Sequence, residues 1–293
     1  MAHSRAAEPV AGGHEQAPGD GVQPAPTRFP LSLGQLKGLV TAASSQLLLR
    51  PQRHLQQAQT DHEQATRHTG PGGLGMDSAA VRRRMVQRLV AEGIGDERVL
   101  QAFMQVQRHL FVDTALVGQA YEDTSLPIGH SQTISKPSVV ARMLSLLLAG
   151  DTAAAHGHLG RVLEIGTGCG YQAALLRLLG RSVVSVERLQ ALHERARSNL
   201  ENLPGQGLHL VHGDGRIGHA ACAPYDTIIA AAGGDALPKH WLQQLAPGGR
   251  LVAPMQEPGS AHQVLVVVDF RADGLALSRH ELVNFVPLKS GVA

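Results

Sequence analysis

The chain is poor in cysteine, in aromatic residues and in net charge, and each shortage excludes something. Two cysteines, Cys169 and Cys222, occur among 293 residues. A disulfide framework is excluded as the source of stability, and a reducing compartment, the cytoplasm, is expected. Aromatic residues make up 3% of the chain against 43% for hydrophobic residues as a whole, so aliphatic side chains must fill the core. Lys and Arg number 26 and Asp and Glu 24. Phosphate binding needs a concentrated basic face, so this balance argues against nucleic acid as the main partner. The compact basic run, Arg82-Arg83-Arg84, falls at the start of a helical pattern and reads as a solvated helix face. No apolar run reaches the ~18 residues of a membrane span. The richest stretch, residues 31–49, is interrupted by Ser, Gly, Gln, Lys and Thr. No N-terminal segment has the basic, apolar, small-residue order of a signal peptide. The 16 histidines are scattered, and His193-Glu194 lacks the second histidine that a helical zinc site requires, so no metal is expected.

Residues 1–75 are dominated by Ala, Gly, Pro, Gln and His. Such a composition buries too little apolar surface to offset chain entropy, which predicts a largely disordered extension with one short helix over residues 36–49. Order is expected from Asp77-Ser78 onward. Val81, Met85 and Leu89 recur every four residues, and Asp96 opens a second helical pattern carrying Val99, Leu100, Phe103 and Met104. Residues 121–135 read as a loop, punctuated by Pro127 and Gly129. Pro137 suits the first turn of a further helix. These parts compose a helical segment over residues 76–150. From Arg161 the pattern alternates. Strands are expected over residues 162–165, 182–186, 208–211 and 227–231, with helices over 173–179, 189–200 and 238–245 between or after them. Residues 251–253, 264–268 and 281–285 are further strand candidates. The alternation predicts an α/β fold with a doubly wound, mainly parallel sheet over residues 161–293, closed by an antiparallel C-terminal edge.

Three strand ends carry groups suited to a nucleotide-like ligand. The first ends in Glu164-Ile165-Gly166-Thr167-Gly168-Cys169-Gly170, where glycines allow a sharp turn and close backbone approach at the ligand edge of an open α/β sheet. The second ends in Glu187-Arg188, a carboxylate able to accept from two ribose hydroxyls. The third ends in Gly213-Asp214-Gly215, placed to meet an adenine. A dinucleotide fingerprint needs a third glycine at position 171, where this chain has Tyr171. The spacing G-x-G-x-G behind an acidic residue resembles instead motif I of the class I S-adenosylmethionine methyltransferases, which implies a Rossmann-like fold and S-adenosyl-L-methionine as cofactor.

A fold of this kind does not name a substrate. The segment before the sheet is more specific. Leu126-Pro127-Ile128-Gly129-His130-Ser131-Gln132-Thr133-Ile134-Ser135-Lys136-Pro137 closely resembles the substrate loop of the protein-L-isoaspartate O-methyltransferases. The resemblance continues through residues 162–172, Ser185-Val186-Glu187-Arg188, Gly213-Asp214-Gly215, residues 224–229 and residues 245–252, and closes with Phe285-Val286-Pro287-Leu288. It implies methyl esterification of the free α-carboxyl group of L-isoaspartyl, and secondarily D-aspartyl, residues in damaged proteins and peptides. The ester then closes to a succinimide, which hydrolyses partly to normal aspartate. It further implies Ser135 as the active-site residue, Gln132, Thr133, Ile134 and Ser135 as substrate-binding, and Glu164, Gly166, Thr167, Gly168, Cys169, Gly170, Glu187, Arg188, Asp214 and Gly215 as cofactor-binding. A monomer is the family expectation.

The chemistry suits the loop. An isoaspartyl α-carboxylate is already ionised at neutral pH and needs no strong base. It has to be held in line with the methyl donor, which is catalysis by positioning. Thr133 and Ser135 precede a helix N-terminus, a place that attracts anions. The plainer reading is that the two hydroxyls cap that helix. The chain departs from the family pattern at three places. Ser131 stands where the family has glycine, and a left-handed backbone there would strain a serine. Cys169 replaces a small residue of motif I, and Gly233-Gly234 replaces Ala-Pro after the fourth strand. Two other functions stay open at this level: a class I methyltransferase for another carboxylate or small molecule, and a weakly catalytic binder of altered aspartates.

Overall fold

The computed structural model describes residues 79–203, 207–257 and 259–293. The expected disorder of residues 1–75 and the helix over 36–49 lie outside the described residues. Two helices come first, α1 (Ala79–Ala91) and α2 (Glu97–Gln105). On α1, Met85 and Leu89 are buried. On α2, Val99, Leu100, Ala102 and Phe103 are buried, and Asp96 caps the helix by accepting from the Arg98 backbone N–H.

The stretch read from sequence as a loop contains a hairpin, β1 (Leu126–Gly129) and β2 (Gln132–Ile134), paired antiparallel. Its strands are only four and three residues long, too short to leave an alternation signal. Its two turn residues, His130 (φ 53) and Ser131 (φ 55), are both left-handed, which is a type I′ geometry. The strain anticipated for Ser131 is therefore present, and His130 shares it. Helix α3 (Pro137–Leu148) follows with Pro137 in its first turn and Val140, Met143, Leu144, Leu147 and Leu148 buried. A short helix, α4 (Asp151–His156), leads to the sheet.

The sheet elements are β3 (Arg161–Ile165), α5 (Tyr171–Leu179), β4 (Ser182–Glu187), α6 (Gln190–Glu201), β5 (Leu208–His212), β6 (Tyr225–Ala230), α7 (Lys239–Gln244), β7 (Leu245–Gln256), β8 (Gln263–Arg271) and β9 (Gly274–Val283). Seven strands lie in the order β5-β4-β3-β6-β7-β8-β9. The first five are parallel, and β8 and β9 join antiparallel. The strand expected over residues 281–285 lies earlier, at Gly274–Val283, and only its last residues overlap. As an edge strand with mostly exposed residues, β9 lacks the apolar run that marks β8. Along β3, Val162 faces one core cluster while Leu163 and Ile165 face the other, the period-two division of a sheet covered on both faces. Chain order reverses between β3 and β6, so the crevice at their carboxyl ends is the topological switch point. Among the described residues no helix is long and apolar enough to cross a membrane.

Candidate active site

A cleft opens at that switch point. Its lining brings together Gly166, Thr167, Gly168 and Cys169 from the glycine loop, Glu187 and Arg188 from the end of β4, Gly215 after β5, and Gln132, Thr133, Ile134 and Ser135 from the hairpin and the start of α3. These are residues the sequence singled out, drawn from segments up to 83 positions apart, the separation of Gln132 and Gly215. Val286, Pro287, Leu288 and Lys289 also line it. The sequence offered one signal for this wall, the Phe-Val-Pro-Leu ending, which carries a resemblance but no chemistry.

The glycine loop takes its shape from left-handed residues. Gly166, Gly168 and Gly170 have φ of 87, 56 and 94, values costly for any residue with a Cβ. The Glu187 carboxylate fixes the loop: Oε2 accepts from the Gly168 N–H at 2.9 Å, and Oε1 accepts from the Leu189 N–H at 2.9 Å. Each oxygen keeps a further lone pair, so the carboxylate both shapes the loop and retains capacity for hydroxyl donors. Cys169 is buried, and burial pushes its thiol above the ordinary value, which holds it in the neutral form.

Three of the expected cofactor residues stand outside the cleft wall. Gly170 turns into α5 in a left-handed backbone and packs beside Leu200. Glu164 is fully buried beneath the loop. Burial pushes its carboxyl up to about 8, against the opposing pull of Ser185 and Gln172, so it is mostly neutral near pH 7. Ser185 Oγ donates to Glu164 Oε2 at 2.5 Å and lies 2.5 Å from Thr167 Oγ1. Glu164 thus reaches the cleft through two hydroxyls. Asp214 spends both oxygens on backbone donors: Oδ1 accepts from Arg216 N–H at 2.8 Å and Oδ2 from Gly291 N–H at 2.7 Å. Arg188 Nε donates to the Gly291 carbonyl at 3.0 Å. The segment 286–291 is therefore laid across the ends of β4 and β5, and Asp214 ties it there.

The same segment is fixed at the other side by the departure noted at Gly233. The Gly233 N–H donates to the Val286 carbonyl at 2.8 Å, and the Leu288 N–H to the Gly233 carbonyl at 2.6 Å. A Cβ on Gly233 would lie 2.3 Å from Gln263 Nε2, and Gln263 Oε1 accepts from the Phe285 N–H at 2.7 Å.

The hydroxyls of the hairpin do not cap α3. Lys136 occupies the N-cap and makes no side-chain cap bond. Asp123 reaches in instead: Oδ1 accepts from the Ser138 N–H and Oδ2 from the Ser138 hydroxyl, both at 2.8 Å. A second, open groove runs between α3 and β9 past Arg142, Glu281, Asn284 and Phe285. Arg142 Nε pairs with Glu281 Oε1 across it at 3.1 Å. Among the described residues, Ser135 is the one that lines both the cleft and this groove. No group of three or more His, Cys, Asp or Glu converges as a metal site among the described residues.

Comparison with known proteins agrees with this architecture. The sequence profile of the family described as protein-L-isoaspartate(D-aspartate) O-methyltransferase matches residues 80–293. A protein-L-isoaspartate O-methyltransferase of Methylibium petroleiphilum is 60% identical over 272 residues, covering 92% of this chain and 98% of that protein. One of Leptothrix cholodnii is 54% identical over 271 residues, covering 91% and 95%. A solved protein-L-isoaspartate O-methyltransferase superposes with a TM-score of 0.64 at 28% identity, over 72% of this chain and 67% of that one. A Plasmodium falciparum structure described as a protein-L-isoaspartate O-methyltransferase, in complex with S-adenosyl-L-homocysteine, shares the fold at a TM-score of 0.61 and 23% identity, over 71% of this chain and 98% of that one. The chain belongs to the protein-L-isoaspartate(D-aspartate) O-methyltransferase family.

Proposed function

We infer that this protein is a protein-L-isoaspartate O-methyltransferase that esterifies the free α-carboxyl group of isoaspartyl, and secondarily D-aspartyl, residues in damaged proteins and peptides, with S-adenosyl-L-methionine as methyl donor. The cleft fits that cofactor. Glycines of positive φ let backbone approach it, and the buried Glu187 carboxylate has lone pairs for ribose hydroxyls. When bound, the cofactor supplies an electrophilic sulfonium methyl group. The chain's task is then alignment and exclusion of water. Thr133 and Ser135 hold the substrate carboxylate, Gln132 and Ile134 shape the loop around it, and the segment 286–289 walls the cleft from solvent. Glu164 and Asp214 serve the cofactor from behind, through Ser185–Thr167 and through the Gly291 tie.

The observation that carries this reading is the position of Ser135. Its hydroxyl is free of the helix cap, and the residue lines both the cleft and an open groove. A polypeptide can lie in such a groove while one carboxylate turns toward the donor, and a small-molecule methyltransferase has no need of it. We take residues 76–293 as the methyltransferase unit, with residues 76–150 on the substrate side, acting as a cytoplasmic monomer without nucleic acid or membrane partners. The two cysteines and the near-balanced charge support that setting.

Replacing Ser135 by alanine tests the assignment. Loss of an oriented hydroxyl donor to an anion should lower kcat for an isoaspartyl peptide by about 10–100-fold and leave S-adenosyl-L-homocysteine affinity nearly unchanged. Unchanged kcat would remove Ser135 from the site.

A further inference from the structure

Two loops have to keep one separation for in-line transfer: the hairpin that carries the acceptor residues and the glycine loop on the donor side. One helix reaches both. Arg195 and Asn199 stand four residues apart on α6 and therefore share a face. Arg195 Nη1 donates to the Ile128 carbonyl of β1 at 2.9 Å, and Nη2 lies 3.5 Å from the Phe111 carbonyl. Asn199 Nδ2 donates to the Cys169 carbonyl at 2.9 Å. The two loops also touch directly: a Cβ on Gly168 would lie 3.2 Å from Ile128 Cδ1.

The hairpin needs such a tether. Its turn holds His130 and Ser131 in left-handed backbone, where L residues are strained, and its seven strand residues cannot stabilise a hairpin by themselves. Strained segments persist when their surroundings over-determine them. A charge-assisted bond from a guanidinium to a partly buried carbonyl is among the stronger single contacts available.

We propose that Arg195 is a positioning residue for the transfer reaction, tethering the acceptor hairpin to the helix that also grips the glycine loop. The inference rests on the functional reading above for its kinetic consequence, but not for its structural one. Because α6 begins directly after Glu187-Arg188, the tether links the donor side of the cleft to the acceptor side through one rigid element.

The test compares Arg195→Met, which keeps the stem and removes the donors, with Arg195→Lys, which keeps one cationic donor. With an isoaspartyl peptide, the Met variant should lose about tenfold in kcat while S-adenosyl-L-homocysteine affinity stays within about twofold, and the Lys variant should recover part of the loss. Amide hydrogen exchange of the protein alone should accelerate in residues 126–134 of the Met variant and stay unchanged in β3 and β4. Unchanged kcat with unchanged hairpin exchange would overturn the proposal. So would a kcat loss matched by weaker S-adenosyl-L-homocysteine binding and faster exchange in β3 and β4, the pattern of a merely structural arginine. If the parent protein leaves the isoaspartyl peptide unmethylated, the functional reading fails, and the exchange measurement still decides the tether.

Discussion

At residue 131 a serine holds a left-handed backbone, and at residues 164 and 214 carboxyl groups turn to partners behind the cleft. Gly166, Gly168 and Glu187 were legible as positions, because a left-handed glycine and a strand-end residue are set by the local chain. Glu164 and Asp214 were legible as motif members but not in their manner of acting, because a side chain's direction depends on neighbours remote in sequence. Glu164 points into the core toward Ser185, 21 positions on, and Asp214 points to Gly291, 77 positions on. Ser131 was legible as a conflict, a serine in a glycine's place, and the structure gives it a φ of 55. The left-handed form costs an L residue roughly 1–2 kcal/mol, and glycine gives back up to about 1 kcal/mol of that in unfolded-state entropy. Ser131→Gly should therefore stabilise the protein by up to about 1 kcal/mol, read as a higher denaturation midpoint in urea with unchanged slope. A lower midpoint would mean that the serine side chain makes a compensating contact.

At the scale of elements, hydrophobic period and turn residues located β3 to β8 and their helices, because each buries a stripe or a face that composition records. Three elements escaped: the short helix α4, the β1–β2 hairpin and most of β9. The β1–β2 hairpin is punctuated by Pro127 and Gly129 and has strands of only four and three residues, so it reads as a loop. The β9 strand is written largely in exposed residues, so its ten positions carry no burial pattern to read. Its neighbour β8 buries an apolar run and is also joined to β7 by a cross-strand ion pair. Arg250 on β7 stands opposite Asp269 on β8, with Nε–Oδ1 at 2.6 Å and Nη2–Oδ2 at 3.0 Å, and Arg250 Nη1 also donates to the Leu146 carbonyl of α3. Burial alone would raise the Asp269 carboxyl, but Arg250 and then Arg271 outweigh it and hold it below the ordinary aspartate value. A carboxyl lowered in the folded state stabilises above its unfolded value and loses that contribution as pH falls through the folded one. Asp269→Asn should cost about 1–3 kcal/mol near neutral pH, with the difference from the parent shrinking toward zero in strong acid. A difference independent of pH would show that packing, not the ion pair, is what the substitution removes.

At the scale of the whole molecule, Ser135 lines two cavities, and no local pattern encodes that. The cleft is assembled from the hairpin, three strand ends and a C-terminal segment that Gly233 and Asp214 anchor from opposite sides. The groove is added by α3 and β9, which lie far apart in the chain and are joined across it by Arg142 and Glu281. Family membership names the reaction; in the proposed reading a polypeptide in the groove presents its carboxylate at Ser135, and an ionised carboxylate needs no base to activate it. The direct test uses a methyl-labelled S-adenosyl-L-methionine and a pair of peptides that differ only in aspartate versus isoaspartate at one position. Base-labile label on the isoaspartyl peptide alone is the predicted result; equal labelling of the two peptides, or none on either, would contradict it.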